Sequence, residues 1–342
     1  MLIHSALACS EPKKMSLFYK RLKLLAPEVL VDPVFRLKAA AATFKSGKYP
    51  VANVTSDGDS PFFVVGSGRS GNTLLRSMLC AHPAIGIPPE FGGFRSAHRK
   101  FTIHGHLPWR GLVAVVLAEI ESTKSFEYWN TNLDDVQILL TRLPTSERTF
   151  ASIIGHVYQA YVREHFAGSS MWGDKTPLNT FNLSRIAKTF PEAKYIHMVR
   201  DGRAVVASFL KANLKSGASL QSAAYHWHDA VRRVRRFSSS RGDSEPVFAI
   251  RYEDLVTNTP QTLSSLCAFL GVPFDEAMLE HNKVFSRLGD SHLAHHENVS
   301  RSVSTSSIDK WKKAFDHKQL RTLNAIIGRD LADLGYDLED KG

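Results

Sequence analysis

The chain has 342 residues, 43% hydrophobic and 22% charged, which excludes an extended disordered chain and suits one large α/β domain or two smaller ones. Lys and Arg number 43 against 33 Asp and Glu, and the net charge of +10 points to anionic partners: nucleotide, acidic substrate, nucleic acid or membrane surface. The three cysteines, Cys9, Cys80 and Cys267, are far apart and lack CxxC spacing, which argues against a disulfide framework or structural zinc and for a reducing compartment.

In chain order, residues 1–58 read as a helical lead-in packed on the core, with a basic amphipathic stretch from Phe18 to Gly47. Lys20, Arg21 and Lys23 punctuate its apolar residues, so contact with a membrane surface stays open. The start, MLIHSALACSEPKKM, lacks a basic n-region and is read as a non-cleaved terminus, and no apolar run reaches the ~18 residues that cross a bilayer. These features predict a cytoplasmic protein. The main domain is placed at 59–336 and a short tail at 337–342.

PFFVVG (61–66) is a continuous apolar run suited to a strand buried on both faces. SGNTLLRSMLCAHP (70–83) then predicts a helix, with Leu74, Leu75, Met78 and Leu79 at helical spacing and Pro83 beyond its end. Residues 91–150 read as mostly helical and irregular, and FASIIGHVYQAYVREHFAG (150–168) as an amphipathic helix. KYIHMV (194–199) is a second buried strand followed by the helical GRAVVASFLKANL. PVFAIRYEDLV (246–256) is a third strand candidate leading into the helical PQTLSSLCAFLGV, and KQLRTLNAIIGRDLADLGYDL (318–338) closes the chain as a helix. Strands alternating with helices predict a three-layer α/β/α fold with a central, mostly parallel sheet.

Between the first strand and its helix lies GSGRSGNT (66–73), a glycine turn feeding a helix start. Free backbone N–H groups and the positive end of the helix dipole meet there, which makes an anion site. Gly66, Gly68 and Gly71 allow the close approach, and Arg69, Ser70 and Thr73 add donors. A triphosphate-binding loop of the P-loop NTPase kind needs a lysine where this chain has Asn72, so a ligand with a shorter phosphate chain, held without magnesium, fits better. Arg200, at the carboxyl end of the second strand, and Ser208, eight residues on, are placed to hold a second phosphate. Asp201 and Arg203 read as a pair balancing a helix dipole. His82, at a helix end, reads as a cap, and His226 and His228, on different helix faces, as structural.

FFVVGSGRSGNTLLRSMLCAHP, GDKTP (173–177), YIHMVRDGRAVVASF, RYEDLV (251–256) and SIDKWKKAF (307–315) together resemble the sulfotransferases that use 3′-phosphoadenosine 5′-phosphosulfate (PAPS), in the branch of tyrosylprotein sulfotransferases and related bacterial enzymes. The resemblance covers roughly residues 60 to 335 in the correct order. It implies the sulfotransferase fold and a phosphosulfate held by Arg69, Ser70, Gly71, Asn72 and Thr73. It further implies a 3′-phosphate gripped by Arg200 and Ser208, with Tyr252 near the nucleotide and Lys310 in a segment that closes over it. Glu90, in IPPEFGGF 21 residues after Arg69, takes the place of the general base, and Lys175 that of the transition-state lysine, with Asp174 orienting or balancing it. The relatives' active-site Ser falls in HLAHHEN, around His295 or His296, either of which can replace the hydroxyl. His292, His295 and His296 have i, i+3, i+4 spacing, but no further ligand set accompanies them and no metal is expected.

The resemblance also implies a hydroxyl acceptor: a tyrosine in an acidic peptide, a phenol or a sugar. Arg95, Arg99 and Lys100 would suit an acidic peptide, equally a sulfated or carboxylated sugar, or merely solubilise a loop. On the same resemblance the product nucleotide would be 3′-phosphoadenosine 5′-phosphate. A homodimer is left open. Two other classes compete: a P-loop kinase or NTPase, and a catalytically silent nucleotide- or nucleic-acid-binding protein. VRRVRRF (231–237) is the best support for the last, yet it reads as a solvated helix face without stacking aromatics, so no nucleic-acid partner is expected.

Overall fold

The first strand, β1 (Phe62–Gly66), is buried along its whole length, and its side chains alternate between two separate cores. Phe63 and Val65 enter one core; Phe62 and Val64 enter the other. That alternation, with apolar residues at every position, is what a sheet covered on both faces demands. In the computed structural model, which describes residues 47–52, 60–212, 219–242, 247–285, 288–289 and 302–338, β1 is the middle of five strands. The others are β2 (Ile85–Gly86), β3 (Met171–Lys175), β4 (Lys194–Val199) and β5 (Val247–Arg251), in the order β2-β3-β1-β4-β5. Every pairing is parallel.

Helices cover both faces. On one side α1 (Asn72–Ala81), α10 (Thr259–Leu270) and α11 (His281–Phe285) pack Leu75, Met78, Leu263, Leu266 and Phe285 against Phe62, Val64, Ile196 and Met198. On the other, α2 (Phe94–Ile103), α3 (Trp109–Glu121), α4 (Asp134–Thr141), α5 (Phe150–His165) and α6 (Leu183–Thr189) build an aromatic-rich core against Phe63, Val65 and Tyr195. A third core joins α7 (Gly202–Ala212), α8 (Leu220–Ser239) and α12 (His317–Asp333) through Val205, Trp227, Leu323 and Ile327. The expected three-layer α/β/α fold is what forms.

Four local features depart from the sequence reading. Gly173, Asp174 and Lys175 of GDKTP finish β3, a strand the sequence reading did not pick out, and a Cβ at Gly173 would lie 2.3 Å from the Phe62 ring of the neighbouring strand. The third strand candidate stops at Arg251, and Tyr252 opens the short helix α9 (Tyr252–Thr257). The last helix ends at Asp333, ahead of Gly335 in the left-handed region at φ 76. VRRVRRF lies on α8 as a seam rather than a free face, because Arg235 meets Asp333 of α12 at 2.8 Å and Arg233 covers the Phe181 ring at 5.0 Å.

The lead-in over 1–58 and the tail over 337–342 lie mostly outside the described residues, as do His292, His295 and His296 entirely. Among the described residues, no helix is long and apolar enough to cross a membrane. Because β3 and β4 flank β1, the chain reverses direction across the sheet there, and the carboxyl ends of these strands open a crevice at which ligands settle in such sheets.

Candidate active site

Gly66 ends β1 opposite Met198 of β4, and its conformation (φ 135) and surroundings exclude a side chain: a Cβ would lie 2.4 Å from the Met198 carbonyl oxygen. Thr180, in the 3-10 turn Pro177–Asn182, grips this residue twice, accepting from its N–H at 2.8 Å and donating to its carbonyl at 2.9 Å. The loop continues through Arg69, itself left-handed at φ 67, to Gly71 at φ 99. Gly71 begins α1 without any side-chain cap, so the first N–H groups of the helix face the loop without an intrahelical acceptor. Asn72 donates its side-chain amide to the Ser67 carbonyl at 2.8 Å, stapling the loop from within. The residue standing where a triphosphate-binding lysine is needed is therefore structural in its side chain. The Ser70 hydroxyl is buried without a hydrogen-bond partner among the described residues, a donor suited to an incoming anion.

Two guanidinium groups converge beside this loop. Arg69 Nε donates to Ser208 Oγ on α7 at 3.0 Å, so the loop and the expected second phosphate site touch directly. Arg200, just past β4, donates to the Arg69 carbonyl at 3.3 Å and to the Ser307 carbonyl at 2.7 Å, and lies 4.2 Å over the Tyr252 ring. Its Nε is buried and lacks a hydrogen-bond partner among the described residues. Burial, and then the charge of Arg200, pull the Arg69 pKa down, while Glu90 opposes them. Positive charge is thus gathered around free donors, the arrangement that favours an anion. These orphaned donors fit a ligand carrying phosphate at two positions.

On the other side of the loop, Lys175 Nζ donates to Glu90 Oε1 at 2.6 Å and lies 3.5 Å from Thr73 Oγ1. Lys175 is fully buried, whereas the Glu90 side chain is 41% exposed and so is open to an acceptor. The expectation that Asp174 balances Lys175 does not hold, since adjacent strand residues point to opposite faces. Asp174 accepts instead from Tyr158 at 2.7 Å, Thr176 at 2.9 Å and Asn179 at 2.8 Å. Burial raises its pKa, and these three hydrogen bonds work against that rise.

Arg203 is more than a dipole partner: Asp201 holds it through contacts of 2.8–3.2 Å, and its guanidinium lies 3.8 Å over the buried Trp311 ring. Trp311 thereby docks the 3-10 turn Lys310–Lys313, on which Lys310 is exposed. Arg95 and Arg99 are exposed on α2, directly after the Glu90 loop, and Lys100 meets Glu119 at 3.8 Å. His82 caps α1, as expected. Thr176, Asn179, Thr180 and Trp311 were not picked out by sequence reasoning. Their roles are hydrogen bonds and stacking between distant segments, and local pattern carries no signal for those. Among the described residues, no group of three or more His, Cys, Asp or Glu side chains is arranged to hold a metal.

A parallel α/β/α sheet with an anion loop after its first strand, arginines after its fourth and a lysine–glutamate pair between defines a group-transfer enzyme of the phosphate-loop class. The profile of the Sulfotransferase family matches residues 61–276, and the chain belongs to that family. It is 25% identical over 310 residues to protein-tyrosine sulfotransferase 1 of Danio rerio, covering 88% of this chain and 79% of that one. It is also 26% identical over 283 residues to the Drosophila melanogaster protein-tyrosine sulfotransferase, covering 80% of this chain and 51% of the other. In three dimensions it resembles the sulfotransferase domain of the Synechococcus PCC 7002 olefin synthase, with a TM-score of 0.55, 23% identity, and coverage of 84% and 98%. That last likeness speaks for the fold. The chain is thus a sulfotransferase.

Proposed function

We propose that the protein moves a sulfuryl group from PAPS to the phenolic hydroxyl of tyrosine, with Glu90 as general base and Lys175 as the cation at the leaving oxygen. The observation that carries this reading is the 2.6 Å Lys175–Glu90 pair, set beside Thr73 on the edge of the anion loop. The phosphate loop, from Arg69 to Thr73, would hold the 5′ end of the nucleotide through its amides, the Ser70 and Thr73 hydroxyls and the Arg69 charge. Arg200 and Ser208 would hold the 3′-phosphate, with Tyr252 and Lys310 as further contacts to the nucleotide. The nucleotide, when bound, supplies an activated sulfuryl group and leaves as 3′-phosphoadenosine 5′-phosphate.

Glu90 accepts the acceptor's proton as its oxygen bonds to sulfur, and the sulfur–oxygen bond to the 5′-phosphate breaks. Lys175 stabilises the charge that accumulates on that phosphate oxygen. The partners must therefore trade contacts during a cycle: Lys175 turns to the leaving oxygen as Glu90 turns to the acceptor. Tyrosine is favoured over a free phenol or sugar by the names of the relatives, and exposed Arg95 and Arg99 suit acidic residues around it. A kinase reading is disfavoured by Asn72, whose side chain is committed to Ser67.

Thermal shift with 3′-phosphoadenosine 5′-phosphate against ATP plus magnesium separates the two readings. Stabilisation by the bisphosphate is expected, and stabilisation by ATP plus magnesium alone would overturn the proposal. Transfer of labelled sulfate from PAPS to acidic tyrosine peptides, phenols and sugars then identifies the acceptor class.

A further inference from the structure

We infer that Thr176 is a positioning residue that fixes the catalytic carboxylate of Glu90, at the head of a bracket, 174–182, that also sets the phosphate loop; this rests on the sulfotransferase reading above. The Phe91 N–H, in the peptide that follows Glu90, donates to Thr176 Oγ1 at 2.8 Å. A hydroxyl that accepts there has one proton left to give, and Thr176 gives it to Asp174 Oδ2 at 2.9 Å. Asp174 is held in turn by the Tyr158 hydroxyl and the Asn179 amide, so the chain of donors runs in one direction, from Phe91 to a buried carboxylate. Asp174 and Thr176 flank Lys175 in sequence. The lysine and the backbone of the base are consequently referred to the same three residues.

The rest of the Glu90 loop is pinned on its other side. Arg76 Nε and Nη2 donate to the Ile87 carbonyl at 3.1 and 3.0 Å, and the Phe91 ring meets Trp129 and Tyr158 edge-on. Between these anchors, among the described residues, the hydrogen bond to Thr176 is the backbone one adjacent to Glu90. Four residues further on, Thr180 performs the corresponding task for the phosphate loop through Gly66. The two threonines divide the labour: Thr176 sets the base, Thr180 the anion loop. Asn179 links them by tying their turn to Asp174.

The test replaces each threonine by valine, which keeps the shape and removes the hydroxyl. Thr176→Val should lower kcat about ten- to hundredfold, the scale on which small misplacements of a catalytic group act, with the Kd for 3′-phosphoadenosine 5′-phosphate within about twofold of wild type. Thr176→Ser should restore most of kcat. Thr180→Val should show the opposite split, a raised nucleotide Kd being its main effect. Hydrogen exchange supplies a readout that needs no turnover: the Phe91 amide should exchange at least about tenfold faster in Thr176→Val while Gly66 is unchanged, and the reverse should hold in Thr180→Val.

If Thr176→Val is not recovered folded, Tyr158→Phe removes one donor from Asp174 and should give the same kcat split at smaller amplitude. Unchanged Phe91 exchange, or a loss of nucleotide affinity that matches the loss of kcat, would overturn the positioning role. Absence of any sulfuryl transfer by the wild type would instead sink the functional reading, leaving the exchange result to decide the geometry of the bracket.

Discussion

Burying a lysine ammonium is costly unless a partner and further acceptors surround it. Lys175 has no exposed surface, yet Glu90, the carboxylate it touches among the described residues, is 41% exposed and belongs to a loop rather than to its own strand. An ion pair that serves only to neutralise a buried lysine has no need of an open partner. This one leaves Glu90 able to exchange its lysine for an acceptor hydroxyl. Lys175→Ala should therefore cut sulfuryl transfer by more than about tenfold while changing nucleotide affinity modestly, since a cation used at the leaving oxygen acts mainly in the transition state. Labelled-sulfate turnover beside calorimetric binding measures both, and unaltered turnover would remove Lys175 from the mechanism. Arg200 makes a different kind of contact. Two of its nitrogens are spent on the Arg69 and Ser307 carbonyls, while its Nε is buried without a partner among the described residues. Arg200→Ala should weaken 3′-phosphoadenosine 5′-phosphate by about tenfold or more while leaving adenosine 5′-phosphate nearly unaffected, because only the former carries the 3′-phosphate. Equal weakening of both nucleotides would assign Arg200 to general support of the loop.

At the scale of elements, the site depends on segments that meet from far apart in the chain. The turn carrying Lys310 is docked by Trp311, whose ring lies under Arg203 while Asp201 holds that guanidinium flat. The neighbouring Ser307 carbonyl takes the Arg200 hydrogen bond, so the C-terminal turns and the arginines after β4 are one assembly. A desolvated cation–π contact is worth about 2 kcal/mol, enough to decide whether such a turn stays docked. Trp311→Ala should raise the nucleotide Kd severalfold and speed limited proteolysis between residues 302 and 315, with Trp311→Phe intermediate. A change in melting temperature without either effect would make Trp311 merely a core residue. The same elements show what sequence could disclose. The strand PFFVVG, the glycine loop and KYIHMV were legible because burial on both faces writes a continuous apolar run, and a helix start after glycines writes an anion site. β3 was not legible, because its MWGDK has a glycine demanded by the Phe62 ring and an aspartate demanded by Tyr158. The first partner lies 111 residues away and the second 16, and no local pattern records either.

For the whole molecule, the mostly parallel sheet with helices on both faces followed from strands alternating with helices, and most expected site residues do converge on one crevice: Glu90, Lys175, Arg69, Ser70, Thr73, Arg200, Ser208 and Tyr252. Strand order and the bracket after β3 were not accessible, since they depend on which distant edges pair. The same close packing leaves two histidines that resist protonation, and their effect belongs to the stability of the entire fold. His197, on β4, is buried with its Nε2 unpartnered among the described residues; burial, aided by the Arg235 charge, lowers its pKa from 6.5 to about 4. His98, on α2, is lowered to about 4 by burial first and then by Arg185 and Lys188. In the unfolded chain both regain the ordinary value of 6.5, so between that pH and about 4 the unfolded state binds protons that the native state refuses. Stability is then complete above the unfolded pKa and declines as pH falls. Asp174 contributes with the opposite sign, because its raised native pKa lets the folded state take up a proton first, and this partly offsets the decline at the acid end. Between about pH 7.5 and about pH 5, His197 alone should cost on the order of 2 kcal/mol, a melting shift of a few degrees. His197→Gln, which cannot titrate, should flatten the dependence of melting temperature on pH even if it lowers stability at neutral pH. An equal acid-induced drop in wild type and His197→Gln would show that the buried histidine is not the group responsible.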